Sequence, residues 1–448
     1  MILREAVLSI IARRDDYETA HDYYEGSVGE VFATRDLRRL FRESGAHGTL
    51  NFCRPVVDAV YNRLEIAAVQ GMSDEAQEII NSTWEFNQLG LDSDETHRRS
   101  LVFGDGYVVV WPDEDGNMEI AYHTPLTTSI VYDPESPRKK LYAVRMWEND
   151  KGTRMDIYRD DVIEKYFVQN KNVTEGSNWN LIDTVENPFG QIPVFHFRTE
   201  RPFGRPEHLD AYDSQDFINK QFVTSMLVTD YQATAQRWAL TREGTAGGEA
   251  ADFAEGDTDV ENAGALKNGP GALWLLDNIE KVGEFSAADP NVFWEPIKDT
   301  VRAMASLTNT PLHYFEKTGN VPSGEALRVA EAPLVKKVDR RQQSFGQSWR
   351  EVFKFVLLAN DIQEDVEIKW AEVESLDSPT RLDSALKKAT LGISFEQNLR
   401  ELGYDDETIK RIMEEKIAET EAGIQTAYPN GEQVSNDQTN AMEVTDNG

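Results

Sequence analysis

Apolar residues recur at three- and four-residue steps at the start of the chain, at Leu3, Val7, Ile10, Tyr17, His21 and Tyr24, and the run stops at Gly26. Such spacing keeps one helical face apolar, and glycine commonly ends a helix. A second helix is predicted over 51–66, where Phe52, Val56, Val60 and Leu64 share a face and Pro55 fits an early turn. Residues 74–103 read as helical again. The period then falls to two. Strands are predicted at 106–111 and 117–123 around an Asp-Gly turn, then at 128–133, 141–148, 154–159, 163–169 and 192–198. The pattern describes a helical layer joined to a mostly antiparallel sheet.

Beyond residue 208 the pattern changes. No proline or glycine interrupts 209–242, and Tyr212, Phe217, Met226, Leu227, Tyr231 and Trp238 keep helical spacing. At ~1.5 Å per residue this helix would be about 50 Å long, more than one small domain can cover. Gly244 ends it, and a glycine- and acid-rich stretch follows, then a short strand at 272–277. Asp289-Pro290 suits the start of another helix, extending to about 308. The segment "TNTPLHYFEKTGNVPSG" reads as a loop, with Ser323 able to cap the next helix and Glu325 in its first turn. That helix is predicted to run to Ala359, with Leu327, Leu334, Val338, Phe345, Trp349, Val352 and Val356 on its apolar side. Pro333 inside it removes a backbone donor, so a kink is expected near Glu331 and Ala332.

With 448 residues, 40% of them hydrophobic, the chain has material for several domains, and no apolar run approaches a membrane span. The start, "MILREAVLSIIARRDD", does not read as a signal peptide, and an intracellular site of synthesis is expected. One cysteine, Cys53, excludes an intrachain disulfide. The formal charge of -33 argues against a protein that simply wraps nucleic acid, though not against one that lets DNA pass. Residues 243–289 carry 11 acids against two lysines, whereas 323–358 hold seven Lys or Arg against four acids. Distinct surfaces for distinct partners follow from that polarity.

The candidate chemistry is sparse. Gly319 and Gly324 stand in the frame of a phosphate-binding loop, but its lysine and hydroxyl positions hold Glu325 and Ala326. An ATPase would need that lysine. "DEDGNME" imitates the start of a calcium loop, yet Gly116 is misplaced and the twelfth position is Thr124, so a hairpin turn is expected. The seven histidines form no H-E-x-x-H or i, i+4 ligand pair. Cys53 reads as a core residue, and pairs such as Asp160-Asp161 and Glu414-Glu415 as solvated faces. Lys336, Lys337, Arg340 and Arg341 are candidates for DNA or, more readily, intersubunit contact. The residues offer no catalytic, cofactor or metal site.

The order of a long helix, an acidic insert, a helix, "TNTPLHYF…GNVPSGEALR" and a long amphipathic helix ending "SFGQSWREVFKF" resembles the portal proteins of long-tailed double-stranded-DNA bacteriophages. "YYEG", "NFCRPVVDAVYNRL", "GDGYVVVWPDEDG" and "NPFGQIPVFHFR" agree with it, and the resemblance covers roughly 1–425. It implies an α+β, predominantly α-helical subunit of a ring, usually a dodecamer, at one capsid vertex of the virion. Non-specific double-stranded DNA would enter and leave through it. The implied partners are the terminase motor, a head-completion adaptor and the major capsid and scaffolding proteins, with synthesis in the bacterial cytoplasm and no membrane. Another neck connector is the alternative.

Segment by segment, the resemblance implies a wing over 1–208, a stem helix over 209–242, a clip over 243–289 and a second stem helix over 290–310. It implies a tunnel-loop region over 311–324, a kinked wing helix over 325–359, a crown over 360–425 and a flexible tail over 426–448. Lys317, Thr318, Gly319, Asn320, Val321, Pro322 and Ser323 would form the loop at the DNA channel.

Overall fold

The start of the chain forms two helices, α1 (Ile2–Ile11) and α2 (Arg14–Glu25), where one was expected. The break falls at Ala12 and Arg13, because the Arg13 guanidinium turns inward to a buried carboxylate, Asp105, at 2.8 Å. Gly26 closes α2 at φ 80°, its N–H donating to the Asp22 carbonyl. The computed structural model describes residues 2–27, 50–171, 173–174, 176–233, 237–241, 279–284, 291–316, 324–373, 387, 394–396, 399 and 408–416.

Helix α3 (Cys53–Tyr61) is shorter than the predicted 51–66, and the chain leaves it for strand β1 (Ile66–Gly71). Helices α4 (Asp74–Phe86) and α5 (Leu89–Phe103) follow. Ser73 caps α4 by accepting from the Ala76 N–H at 3.2 Å, and Asp74 and Glu75 face the positive end of its dipole. Gly104 ends α5 at φ 84°, and a Cβ there would lie 2.5 Å from the Arg205 backbone, so close approach as well as the turn requires glycine.

The strands are β2 (Asp105–Pro112), β3 (Met118–His123), β4 (Thr128–Tyr132), β5 (Lys140–Asn149), β6 (Gly152–Tyr158), β7 (Val162–Val168), β8 (Asn180–Glu186) and β9 (Val194–Arg198). They form an antiparallel three-stranded sheet in the order β3-β2-β9 and an antiparallel five-stranded sheet in the order β4-β5-β6-β7-β8. Tyr107 and Val109 of β2 pack between the sheets with Ile130, Ala143 and Ile163, while Val108 and Val110 face the helices. Burial on both faces explains the continuous apolar run "GYVVVW". Ala6, Val7 and Ile10 of α1 cover the far face of the larger sheet, on Val144, Met155 and Ile157. "DEDG" is the expected hairpin turn: Asp113 Oδ1 accepts from the Asp115 and Asn117 N–H groups and Gly116 sits at φ 89°.

Helix α6 (Tyr212–Ala233) begins after a short 3-10 turn, Leu209–Ala211. The expected helix to 242 is corrected here. Residues Arg237–Thr241 form strand β10, paired antiparallel with β11 (Ile279–Glu284), so backbone ladder bonds replace helical ones. Helix α7 (Asn291–Leu307) returns along α6: Ala211 and Ile218 share a cluster with Ile297, Val301 and Met304, and Phe222 meets Trp294. Helix α8 (Gly324–Ala359) runs on through Pro333, and strand β12 (Val366–Trp370) pairs antiparallel with β1. That pairing moves the expected boundary at 360, since the first compact unit ends at Val373 and the second comprises 374–448. In the second unit residues 408–416 are helical. The predicted strand at 272–277, residues 243–278 of the expected clip, most of the expected crown and the tail lie outside the described residues. No helix among the described residues is long and apolar enough to cross a membrane.

The main core gathers on α8, where Phe345, Trp349, Val352, Phe353 and Val356 are fully buried against α3–α5 and the smaller sheet. Trp349 Nε1 donates to His97 Nε2 at 2.7 Å, and His97 Nδ1 meets the Leu64 carbonyl at 2.9 Å. Indole can only donate, so His97 is neutral with its proton on Nδ1. Burial pushes its pKa down to about 4, against an ordinary 6.5. Above pH 6.5 the folded and unfolded rings are both neutral and the contribution is intact. As the pH falls from 6.5 towards 4, the unfolded chain takes up a proton that folded His97 refuses. We expect the urea midpoint to fall across that window by an equivalent of about 3 kcal/mol from this group. A His97→Gln variant, less stable at neutral pH, should show a shallower slope of midpoint against pH there, and an unchanged slope would count against the assignment.

Candidate functional site

The loop that the sequence places at 317–323 lies outside the described residues, but both of its stalks are described. The first leaves α7 through a Schellman turn: Asn309 adopts φ 52°, and the Thr310 N–H donates to the Ala305 carbonyl at 3.0 Å. Pro311 then starts a 3-10 turn, Leu312–Tyr314. The second stalk is the start of α8 at Gly324, with Glu325 in its first turn as expected.

Two polar clusters fix these stalks to the body. In the first, Arg63, just past α3, donates from Nη1 to the Tyr314 hydroxyl at 2.5 Å and pairs through Nη2 with Glu331 of α8 at 3.2 Å. His313 Nε2 lies 3.3 Å from the same Glu331 oxygen, so one arginine and one glutamate join the stalk before the loop to the helix after it.

The second cluster centres on Glu207, whose side chain is 2% exposed. Lys337 Nζ reaches Oε1 and Arg341 Nε reaches Oε2, each at 2.8 Å. Lys337 also donates to the Thr308 carbonyl at 2.8 Å, and Arg341 Nη1 to the Thr199 carbonyl at 2.7 Å. Burial opposes charge on Glu207, but the Lys337 and Arg341 charges and their hydrogen bonds outweigh it and hold the carboxyl below its ordinary pKa. The seven residues 317–323 thus lie in sequence between two ends whose positions are set by these ion pairs.

The four cations of "KKVDRR" therefore divide. Lys337 and Arg341, candidates for contact with DNA or another subunit, both pair within the chain and share the one carboxylate of Glu207. Lys336 and Arg340 lie exposed on the opposite side of α8 and have no ion-pair partner among the described residues. Cys53 is buried, as read from the sequence. Among the described residues no group of His, Cys, Asp and Glu side chains could hold a metal.

A second buried carboxylate braces the layers behind this site. Asp105 is fully buried and accepts four hydrogen bonds: from His196 Nε2 (2.8 Å) and the Gly204 N–H (2.7 Å) on Oδ1, and from Arg13 (2.8 Å) and the Tyr17 hydroxyl (2.8 Å) on Oδ2. Burial opposes its charge, while His196, Gly204 and Arg13 hold its pKa below the ordinary value. Sequence reasoning named neither carboxylate.

The sequence model of the family described as phage portal protein, SPP1 Gp6-like, matches residues 11–422. The chain belongs to that family. The portal protein of Mycobacterium phage L5 is 23% identical over 454 residues, covering 93% of this chain and 89% of its own. The portal protein of Mycobacterium phage D29 is 23% identical over 403 residues, covering 82% and 79%. Among solved structures, a chain in the virion of a native gene transfer agent particle aligns with a TM-score of 0.46 at 14% identity, covering 86% of this chain and 99% of that one.

For this portal-family chain the Glu207 cluster makes a direct prediction. Glu207→Gln keeps the shape but leaves two part-buried cations without their buried counter-charge, and breaking a buried pair in this way costs about 3–5 kcal/mol. Chemical denaturation should show a loss of that size. Lys336→Gln, on the exposed side of the same helix, should change stability by no more than about 0.5 kcal/mol.

Proposed function

We propose that this chain is the ring subunit of a portal, the head-to-tail connector at one capsid vertex, through which viral DNA is packaged and later ejected. Membership of the portal family over residues 11–422 carries the reading, and the two clamps around 317–323 support it. In this reading 1–208 form the wing, the α6 and α7 hairpin the stem, 243–289 the clip, 325–359 a wing helix kinked at Pro333, and 374–425 the crown. The ring is a dodecamer. Its acidic clip faces the terminase motor during packaging and a head-completion adaptor afterwards, while the outer surface meets the capsid and scaffolding proteins.

Lys317, Thr318, Gly319, Asn320, Val321, Pro322 and Ser323 form the loop that touches passing DNA, and its role is steric, with no bonded chemistry. The net charge of -33 leaves a polyanion no deep well in which to stick. Lys336 and Arg340 remain available to DNA or to a neighbouring copy.

Electron microscopy of the purified chain, without DNA, should show closed rings with a central channel. Light scattering that finds only monomer over a wide concentration range would defeat the reading. Gly319→Val should spare ring formation while reducing packaged genome length or retention, because a β-branched residue narrows the backbone freedom that the loop uses.

A further inference from the structure

Two helices of the first unit carry apolar residues on faces that the described residues do not cover. Helix α7 buries Ile297, Val301 and Met304 on one side. On the opposite side Val292 is 64% exposed and Leu307 60% exposed, with exposed Ala303 between them. At ~100° per residue these three lie within about 60° of one another, and Asp299 borders them.

Helix α8 repeats the arrangement. Leu334, Val338 and Phe345 are fully buried, and the opposite side presents Val329, 71% exposed, followed by exposed Pro333, Lys336 and Arg340. Exposed Asp339 lies to one edge of that stripe. A helix apolar on two opposed faces needs a cover on both.

We propose that the outer face of α8 in one copy packs antiparallel on the outer face of α7 in the next copy of the ring. This rests on the ring reading above and names the two surfaces that close the ring. Charge and register together select the partner. Lys336 and Arg340 have no ion-pair partner among the described residues, whereas the free side of α7 carries Asp299 and Glu295, engaged only by Arg302 and Lys298 three residues on, at 2.8 and 3.3 Å.

Setting Val329 on Leu307 brings Pro333 to Ala303, Lys336 to Asp299 and Arg340 to Glu295. From Val329 to Lys336 the rise is ~10 Å and from Leu307 to Asp299 ~12 Å; the next steps, to Arg340 and Glu295, are ~6 Å each. A parallel arrangement, Val329 on Val292, also sets Lys336 on Asp299 but puts Arg340 against Ala303, so it pairs one cation where the antiparallel register pairs both. The two patches differ, so the contact is head-to-tail and repeats from copy to copy until a ring closes.

Cysteine pairing tests this cleanly, because the single native cysteine, Cys53, is buried. Val329→Cys and Leu307→Cys chains, mixed, assembled and oxidised, should give a covalent dimer on a denaturing gel, and neither variant alone should. Lys336→Glu with Arg340→Glu should raise the concentration needed for assembly about tenfold or more, and adding Asp299→Lys and Glu295→Lys to the same chain should restore it. Wild-type rings that give no dimer from the mixture, a dimer of Val329→Cys with Val292→Cys instead, or a cross-link formed only within one chain carrying both cysteines would each overturn the interface while leaving the ring intact. A wild-type chain that stays monomeric would defeat the ring reading itself, and the interface with it.

Discussion

A carboxylate removed from water must be neutralised where it stands, or the segment bearing it does not stay buried. Glu207 is held in this way by Lys337 and Arg341, and the consequence reaches beyond one ion pair. Because the two cations sit one turn apart on α8, satisfying both oxygens fixes the rotation of the helix as well as its distance from the body. With that rotation fixed, Phe345, Trp349, Val352 and Val356 point into the core and Lys336 and Arg340 point away from it. Asp105 acts similarly between layers, drawing Arg13 and Tyr17 from the N-terminal helices, His196 from β9 and the backbone of Gly204 onto one residue of β2.

Much of the fold was legible where the physical cause is local. Period-two alternation found the hairpins of β2–β7, and Gly26 and the Asn309-Thr310-Pro311 stop marked helix ends because left-handed caps need particular residues. What was missed depends on distant partners. The second helix was carried to 66 because Leu64 continues a helical face, and strand β1 was missed because only pairing with β12, some 300 residues on, makes 66–71 extended. Strand β8 was missed because it is exposed on both faces and shows no alternation. Helix α6 was extended to 242 because "RWALT" has no breaker, yet its backbone bonds go to 279–284 instead.

The loop's place between two helices was readable from proline and glycine, but the clamps that hold its stalks were not. A signal did exist for half of one. Lys337 and Arg341 share the side of α8 that carries Leu334 and Phe345, so helical spacing alone places two cations beside a core, where each needs a counter-charge. Lys336 and Arg340 fall on the other side by the same arithmetic. Treating "KKVDRR" as one basic patch concealed that division. Nothing local marked Glu207 or Arg63 as the partners, since each is one charge among several nearby, Arg205 and Asp210 beside the first and Asp58 and Glu65 beside the second.

The clamps also bear on how a short loop can matter in a wide assembly. Chain geometry allows ~3.5 Å per residue, so the segment between Glu316 and Gly324 can carry its tip no more than roughly 14 Å from its stalks. Where that tip lies is therefore governed mainly by where the stalks are held. Tyr314 and Glu331 are both tied to Arg63, and Thr308 and Glu207 are both tied to Lys337, so neither stalk can shift far without breaking a bond that also restrains the other. A force on the loop would pass into α8 and from there into the core around Trp349. Motion of the stalks would expose paired charges to loss of their partners. Both stalks are thus stiffly mounted, and the stiffness comes from ion pairs that no single stretch of the chain contains.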